Sequence, residues 1–521
     1  MTPAAIVKFL LILLIAASII AMIANRFRIP YTVALVFGGF GIDFFNVPIQ
    51  NILAHGGTSQ IHLLTPEVVF ILFLPPLLFE AGINLDFHHL RSNVLPITLL
   101  AVGGVLIAMS ATGLSVHWFV GLPILPAMIF GALISATDPV SVLALFKGLG
   151  ISKRLAMLIE GESLFNDGTA VVLFQILVAA AVTTGSIDVL DGVRQFLIVV
   201  SGGAVLGFGL GYAASRVTQQ IDDPRIEITL TTILAYGSYL LAEHLHVSGV
   251  IATVVAAVVV GNFGAEIGMS ARTRLAIWSF WDYIAFVANS LVFLLVGIEV
   301  HLLDLVTSWR AILLALAMVL LGRALAVYTL SPLCRLAGQS IPLKWQHLIV
   351  WGGLHGGLSI ALALSLRENL PGRETILAMT FGVVAFSIIV QGLTLKPALR
   401  LFNIEVGRED DFDRARVKVI ALNAAARELG LLQQSNFTTP STYTKLHQEL
   451  ESSMNAAQRE MDEIEASRPA GANEQMRMAR MRMLSAEKSA IRRSVSDGLI
   501  SLTAAEKLLE NSDQDLDNLR R

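Results

Sequence analysis

Apolar stretches separated by short polar segments fill the first four fifths of the chain. They predict about thirteen membrane-spanning helices, because each is long enough to cross the hydrocarbon core of a bilayer. The predicted spans are 4–24, 29–46, 66–82, 93–118, 123–146, 155–182, 193–216, 227–244, 247–263, 278–300, 309–334, 343–366 and 375–398. The first could also be a signal peptide, but its basic residues follow it, which favours a membrane helix.

The end of the chain has a different pattern. From Glu405 onward there are 17 Lys and Arg and 20 Asp and Glu, whereas the preceding 404 residues hold only 20 of each. Amphipathic segments at 413–432, 444–466, 474–495 and 502–519 are typical of surface helices. The sequence therefore predicts a membrane domain at 1–403 and a helical tail at 404–521.

The basic residues of the loops predict the orientation, because cytoplasmic loops are enriched in Lys and Arg. Loops after odd-numbered spans hold twelve such residues, and loops after even-numbered spans hold four, namely Arg194, Arg310, Arg367 and Arg373. This asymmetry places the N-terminus outside and the tail in the cytoplasm. The chain is expected in the plasma (inner) membrane.

Thirteen spans fit an inverted repeat, with spans 1–6 and 8–13 as its halves. Span 5 contains Thr137-Asp138-Pro139, and span 12 has four glycines between Gly352 and Gly357. Proline and clustered glycines interrupt helices, so both halves are predicted to break at the fifth span. We expect an all-α fold with crossed, discontinuous helices 5 and 12. Close helix packing through small residues is the alternative explanation of the glycines.

Charged residues inside these spans are candidates for function. Span 6 contains Glu160, Glu162 and Asp167, and a charge at membrane depth costs about 3 kcal/mol on insertion scales. On a helix, Ser163 and Asp167 share one face, and Glu162 and Asn166 share another. The first pair offers hard oxygen ligands.

Three polar residues lie deep in other spans. Arg323 stands in the middle of span 11 and needs a partner, so we predict an ion pair with Glu162. Asp138 is expected to face the N–H groups at the start of a half-helix. Glu80 lies near the inner end of span 3. A buried structural kink with satisfied polar groups is the alternative for the Thr137-Asp138-Pro139 interruption and the acidic motif.

Composition excludes several classes of protein. Hydrophobic residues make up 55% of the chain and charged residues 15%, which is not typical of a soluble globular protein. The single cysteine, Cys334, excludes an intrachain disulfide. An intramembrane protease is disfavoured because Ser163 lacks the second glycine of a nucleophile elbow and has no histidine nearby in sequence. An ion channel remains a remote alternative.

These motifs resemble the monovalent cation:proton antiporter-1 family, and most of all its NhaP-type Na⁺/H⁺ antiporters, which are related to animal sodium/proton exchangers. The resemblance covers nearly all of residues 1–403. It rests on Leu74-Pro75-Pro76-Leu77-Leu78-Phe79-Glu80, Ala136-Thr137-Asp138-Pro139, Glu160-Gly161-Glu162-Ser163-Leu164-Phe165-Asn166-Asp167, Arg323 and Trp351-Gly352-Gly353-Leu354. It implies a transporter of Na⁺ or Li⁺ against H⁺, with no enzymatic activity and no cofactor.

The resemblance also implies roles for individual residues. Asp167 would bind Na⁺ and carry the proton, and Ser163 and Thr137 would supply further oxygens to the ion. Glu80 would act through water, and Asn166 fills a position that is Asp in electrogenic relatives. Asp138 would act at the helix crossing, and Glu162 would pair with Arg323. His355 is a departure from the family, because relatives often have Arg there, between Gly353 and Gly356.

The implied assembly is a homodimer with an elevator-like motion. A dimer panel would comprise spans 1–3 and 7–10, at about 4–82 and 193–300. A mobile core would comprise spans 4–6 and 11–13, at about 93–182 and 309–398. Na⁺ and H⁺ would compete for Asp167, and with Asn166 uncharged the exchange would be electroneutral. K⁺/H⁺ exchange on the same scaffold remains open, as does a regulatory partner of the tail.

Overall fold

In the computed structural model, the regular secondary structure of the described residues is all helical. These residues are 3–27, 31–44, 69–139, 142–143, 146, 151–183, 188–221, 223–265, 269–299, 307–336, 338–402, 404, 408–434, 439–466, 480 and 483. The chain divides into two compact units, Met1–Glu405 and Val406–Arg521.

The first unit consists of helices that follow the predicted apolar spans. They are α1 (Pro3–Phe27), α2 (Tyr31–Phe44), α3 (Leu74–Asn84), α4 (Phe87–Ser92), α5 (Val94–Val120), α6 (Ile124–Ile134), α7 (Lys153–Thr183), α8 (Val189–Thr218), α9 (Pro224–His244), α10 (Gly249–Val259), α11 (Ala271–Glu299), α12 (Trp309–Leu336), α13 (Leu343–Trp351), α14 (Gly357–Leu364) and α15 (Arg373–Leu401).

Six of the described helices are long and apolar enough to cross a membrane, namely those at 94–120, 154–182, 189–218, 272–295, 309–336 and 373–401. Shorter apolar helices lie in five of the other predicted spans, namely Leu11–Phe27, Tyr31–Gly41, Ile71–Asn84, Ile124–Ile134 and Gly249–Gly264. The total of thirteen spans stays a prediction. Four π-helical turns, which the hydropathy pattern did not indicate, occur at Val69–Phe73, Leu99–Gly104, Val260–Gly264 and Ser387–Gln391.

The helices of this unit form two packed groups. In one group, α5 packs against α6 and α12, and α7 packs against α6. In the other, α10 packs against α3, α8 and α9, and α11 packs against α2. Glycines allow the closest contact, since a Cβ atom added to Gly39 on α2 would lie 2.9 Å from the Gly297 Cα atom on α11. Whether one group moves against the other stays a prediction.

Both predicted interruptions are present as non-helical segments. Helix α6 ends at Ile134, and residues 136–139 have no regular structure. Helix α13 ends at Trp351, and α14 begins only at Gly357. The two segments are adjacent, because the Asp138 backbone N–H donates to the Leu354 carbonyl oxygen at 2.6 Å. The crossing of complete half-helices stays a prediction, because part of predicted span 5 lies outside the described residues.

The second unit contains a pair of helices, α16 (Arg408–Gln434) and α17 (Pro440–Ala466), which pack against each other. Ala415, Leu429 and Ala457 are buried, and Lys418 pairs with Glu460 at 3.0 Å on the exposed side. Such an exposed pair contributes at most about 1 kcal/mol, so apolar packing holds the two helices together. The predicted tail helices at 474–495 and 502–519 lie outside the described residues, apart from Arg480 and Met483.

Candidate ion-binding site

Helix α7 carries the acidic motif into the interior of the membrane unit. Glu162, Ser163 and Asn166 are each at most 1% exposed, and Asp167 is half-buried. The Asp167 Oδ1 atom is buried and has no hydrogen-bond partner among the described residues. A buried carboxylate oxygen without a donor is costly, so this atom is the clearest place for a bound cation or proton.

The first interruption places Thr137 against this helix. The Ser163 hydroxyl donates to the Thr137 carbonyl oxygen, and the Thr137 hydroxyl donates to Ser163 Oγ at 3.2 Å. Asn166 also binds Thr137, because its Nδ2 donates to Thr137 Oγ1 at 2.9 Å and its Oδ1 accepts from the Thr137 N–H at 3.2 Å. These contacts group the hydroxyl oxygens of Ser163 and Thr137 with the Thr137 carbonyl oxygen, which are hard ligands for a cation. Asp167 follows Asn166 directly in the sequence.

The structure brings Glu162 and Arg323 together as a buried ion pair. Arg323 Nη1 and Nη2 lie 2.6 and 2.8 Å from the two carboxylate oxygens, and the Asn166 Nδ2 donates to Glu162 at 3.2 Å. Gly353 makes room for the guanidinium, since a Cβ atom there would lie 2.8 Å from Arg323 Nε. Gly353 in the second interruption is therefore needed for steric reasons, because a side chain there would overlap Arg323. The role of Gly353 in transport stays a prediction.

Asp138 lies at the start of half-helix α14. A Cβ atom added to Gly356, which caps this helix, would lie 2.6 Å from the Asp138 carboxylate oxygen Oδ2. A helix N-terminus carries partial positive charge, so this position favours a carboxylate. Gly356 allows the close approach because it has no side chain, and the role of Asp138 at the helix crossing stays a prediction.

His355 belongs to the second interruption and is buried against the first. Its Nδ1 lies 3.1 Å from the Ala136 carbonyl oxygen, and its backbone N–H donates to Ser387 Oγ at 2.8 Å. Because a carbonyl oxygen only accepts, Nδ1 must carry the hydrogen of this bond. The imidazole therefore joins the segment between α13 and α14 to the segment after α6. A neutral ring is sufficient for this hydrogen bond.

One cavity adjoins both interruptions, and a second one reaches helix α7. A cavity of about 10 Å³, enough for roughly one water molecule, is lined by Thr112, Ser135, Thr137, Arg323 and His355 among others. A much larger cavity of about 1310 Å³ reaches Phe165, the residue before Asn166. Its wall includes Asn84, Asp86, Asn262 and Arg274. Most of its lining residues are apolar, and Phe165 is the part of the acidic motif that it reaches.

Glu80 lies on α3, and no contact described here joins it directly to Asp167. Its Oε1 accepts a hydrogen bond from Asn84 Nδ2 at 2.7 Å. The Tyr31 phenol is within electrostatic range of the carboxylates of both Glu80 and Asp138. Sequence analysis missed Tyr31, Asn84 and Asn262. Tyr31 and Asn262 are far in sequence from the residues that they approach, so only the three-dimensional structure reveals them. Asn84 lies four residues after Glu80, a spacing that places both side chains on one face of a helix.

Comparisons with known proteins identify the family of the chain. The family profile described as "Sodium/hydrogen exchanger, transmembrane" matches residues 11–401. The chain is 39% identical to the Na⁺/H⁺ antiporter NhaG of Bacillus atrophaeus over 504 residues, which covers 95% of this chain and 94% of that protein. It is 41% identical to the Na⁺/H⁺ antiporter NhaP of Pseudomonas aeruginosa over 345 residues, which covers 64% and 81%.

Among solved structures, the fold is similar to the sodium proton antiporter MjNhaP1 from Methanocaldococcus jannaschii, with a TM-score of 0.62 at 20% identity. The match covers 76% of this chain and 98% of that protein. The resemblance stated from the sequence motifs is thereby confirmed. The chain belongs to the sodium/hydrogen exchanger family.

Proposed function

We propose that this protein exchanges Na⁺, or Li⁺, for H⁺ across a membrane through alternating access to a site centred on Asp167. The observation that carries the proposal is the buried Asp167 Oδ1 atom without a hydrogen-bond donor, next to a helix turn that carries Ser163 and contacts Thr137. Carboxylate, hydroxyl and carbonyl oxygens suit a hard cation. The membrane helices and the family of antiporters support a transporter rather than an enzyme.

Exchange follows from competition for a single carboxylate. Either a proton or Na⁺ neutralises Asp167, and the neutral site can then move past the apolar surroundings. An empty, charged site would have to cross without compensation, which costs about 3 kcal/mol or more at membrane depth. The occupied states therefore move and the empty state does not. No separate coupling device is needed.

The neighbouring polar groups make a ratio of one ion to one proton the simplest outcome. Glu162 is neutralised by Arg323, and Asn166 has no charge to exchange. Asn166 is also held by bonds to Thr137 and Glu162. One carboxylate then trades one proton for one monovalent cation, so each cycle moves no net charge. The two concentration gradients, and not the membrane potential, would drive transport.

In this proposal the panel of spans 1–3 and 7–10 forms a homodimer, and the core of spans 4–6 and 11–13 carries the ion. The N-terminus lies outside, the tail is cytoplasmic, and the plasma membrane is the location. The two packed groups of helices support a division of this kind, because α5, α6, α7 and α12 belong to one and α2, α3 and α8–α11 to the other.

Vesicles containing the purified protein and a pH-sensitive dye test the proposal. Adding Na⁺ or Li⁺ to acid-loaded vesicles should release protons, and Asp167→Asn should abolish the release while the protein still elutes as a folded species. Asp282→Asn, on an exposed carboxylate of α11, is the matched control and should retain exchange. Sodium-dependent proton flux in Asp167→Asn would refute the site, and a response to K⁺ alone would favour K⁺/H⁺ exchange.

A further inference from the structure

Asn84 separates the large cavity from Glu80. It lines the cavity, and Glu80 lies one helical turn earlier on the same face of α3. The Asn84 Nδ2 donates to Glu80 Oε1 at 2.7 Å and to the Glu80 carbonyl oxygen at 3.0 Å. Both acceptors require the NH₂ end of the amide, so the amide oxygen must point away from Glu80.

Asn262 fixes the end of α3 from another helix. Its Nδ2 donates to the Leu85 carbonyl oxygen at 2.8 Å, and its Oδ1 accepts from the Phe87 N–H at 2.8 Å. It also binds the Val258 carbonyl oxygen at 2.8 Å. Asn262 lies in the π-helical turn Val260–Gly264. Its amide therefore binds the backbone of Leu85 and Phe87, which directly follow Asn84 in the chain.

Tight backbone contact makes this attachment rigid. A Cβ atom at Gly82 would lie 2.7 Å from Ala257 Cβ and 3.0 Å from the Val254 carbonyl oxygen. Gly261 likewise faces the Ile83 carbonyl oxygen, too close for any side chain. The end of α3 therefore has little freedom to move relative to α10, and the position of Asn84 is set by its surroundings.

Helix capping explains only one of the two hydrogen bonds that the Asn84 side chain makes to Glu80. A side chain at the last residue of a helix often binds the carbonyl oxygen four residues earlier, and the bond to the Glu80 carbonyl is of that kind. The second bond, to the Glu80 carboxylate, adds nothing to capping. It fixes a rotamer of the Glu80 carboxylate, one helical turn from Asn84, which lines the cavity.

We infer that Asn84, itself held through Asn262, is a positioning residue that orients the Glu80 carboxylate for the entering cation. The inference rests on the proposed function, because it assigns Glu80 to the path of the transported ion. A cation arriving from the cavity meets the outward-facing amide oxygen first and the charge of Glu80 next. Loss of the amide removes this hydrogen bond from the Glu80 carboxylate, which weakens cation capture and leaves the later movement of the occupied site unchanged.

A double-mutant cycle in proteoliposomes tests this inference. Asn84→Ala should raise the apparent KM for Na⁺ by about tenfold, the size expected for one hydrogen bond to a charged group, with little change in maximal rate. Glu80→Gln should also raise KM, and Asn84→Ala should add nothing in that background. Asn84→Gln keeps an amide and should retain more of the affinity. Asn262→Ala should reproduce the raised KM.

Asn93→Ala is the matched control, since Asn93 also joins two helices through its amide, to Arg154 Nε at 3.0 Å, but does not bind Glu80. It should leave KM unchanged. Additive effects of Asn84→Ala and Glu80→Gln, or a fall in maximal rate at constant KM, would overturn the inference while wild-type exchange stands. Wild-type vesicles that exchange none of Na⁺, Li⁺ and K⁺ would instead overturn the proposed function, and the inference with it.

Discussion

Replacing Arg323 with glutamine tests the buried ion pair. The guanidinium makes two short hydrogen bonds to Glu162, at 2.6 and 2.8 Å, and a weaker one to the Ile349 carbonyl oxygen at 3.3 Å. Glu162 is 1% exposed. Without Arg323, the only donor that the described residues still give this carboxylate is Asn166 Nδ2 at 3.2 Å.

The expected loss of stability is about 3–5 kcal/mol, because removing one partner leaves the other charge buried and uncompensated. Counting bonds gives a similar figure, since each hydrogen bond to a charged group is worth about 1.5–3 kcal/mol and two are lost. Arg323→Lys keeps the charge but cannot form both bonds at once, so its loss should be smaller.

Thermal unfolding in detergent, followed by tryptophan fluorescence, measures the effect. Arg323→Gln should melt well below wild type, and Glu162→Gln combined with Arg323→Gln should recover much of the loss because no buried charge remains. Arg310→Gln, on an exposed residue of the same helix α12, should change stability by no more than about 0.5 kcal/mol. An Arg323→Gln variant that melts at the wild-type temperature would refute the reasoning.

Three further outcomes follow from the proposed exchange. Asn166→Asp adds a second carboxylate beside Asp167, so transport should move charge; currents on a supported membrane detect this, and their absence would contradict the role of Asn166. Lowering pH on the cation side should raise the apparent KM for Na⁺ without lowering the maximal rate, because protons compete for Asp167; a fall in maximal rate alone would count against one shared site. His355→Arg adds a positive charge next to the interruptions and should weaken Na⁺ binding, measured as KM in vesicles; unchanged KM would show that His355 lies too far from the ion.

The pairing of Glu162 with Arg323 was predictable from the sequence for a physical reason. Few charged residues lie inside apolar spans, and each needs a partner of opposite charge. The interruptions were predictable as well, because proline and clustered glycines act on the backbone locally. Helix boundaries followed hydropathy to within a few residues, as for the predicted span 155–182 and the observed helix Lys153–Thr183.

Contacts that depend on how the two interruptions meet could not be predicted. The bonds between Thr137 and Asn166 join residues 29 positions apart, and they exist because the segment after α6 leaves the helix in one particular direction. Asn262 is a second case. Its sequence context suggests only the end of an apolar run, and the π-helical turn that aims its amide at Leu85 and Phe87 has no recognised sequence signal.

The charges around the site explain why occupancy matters in the proposed mechanism. Glu162 has Arg323, and Asp138 has the N-terminal end of α14. Each of these acids has a compensating group beside it in this structure. Asp167 differs, because its Oδ1 has no donor among the described residues. A permanent cation beside it would neutralise the empty site and remove the barrier to its movement, so the uncompensated oxygen is the feature on which obligatory exchange depends.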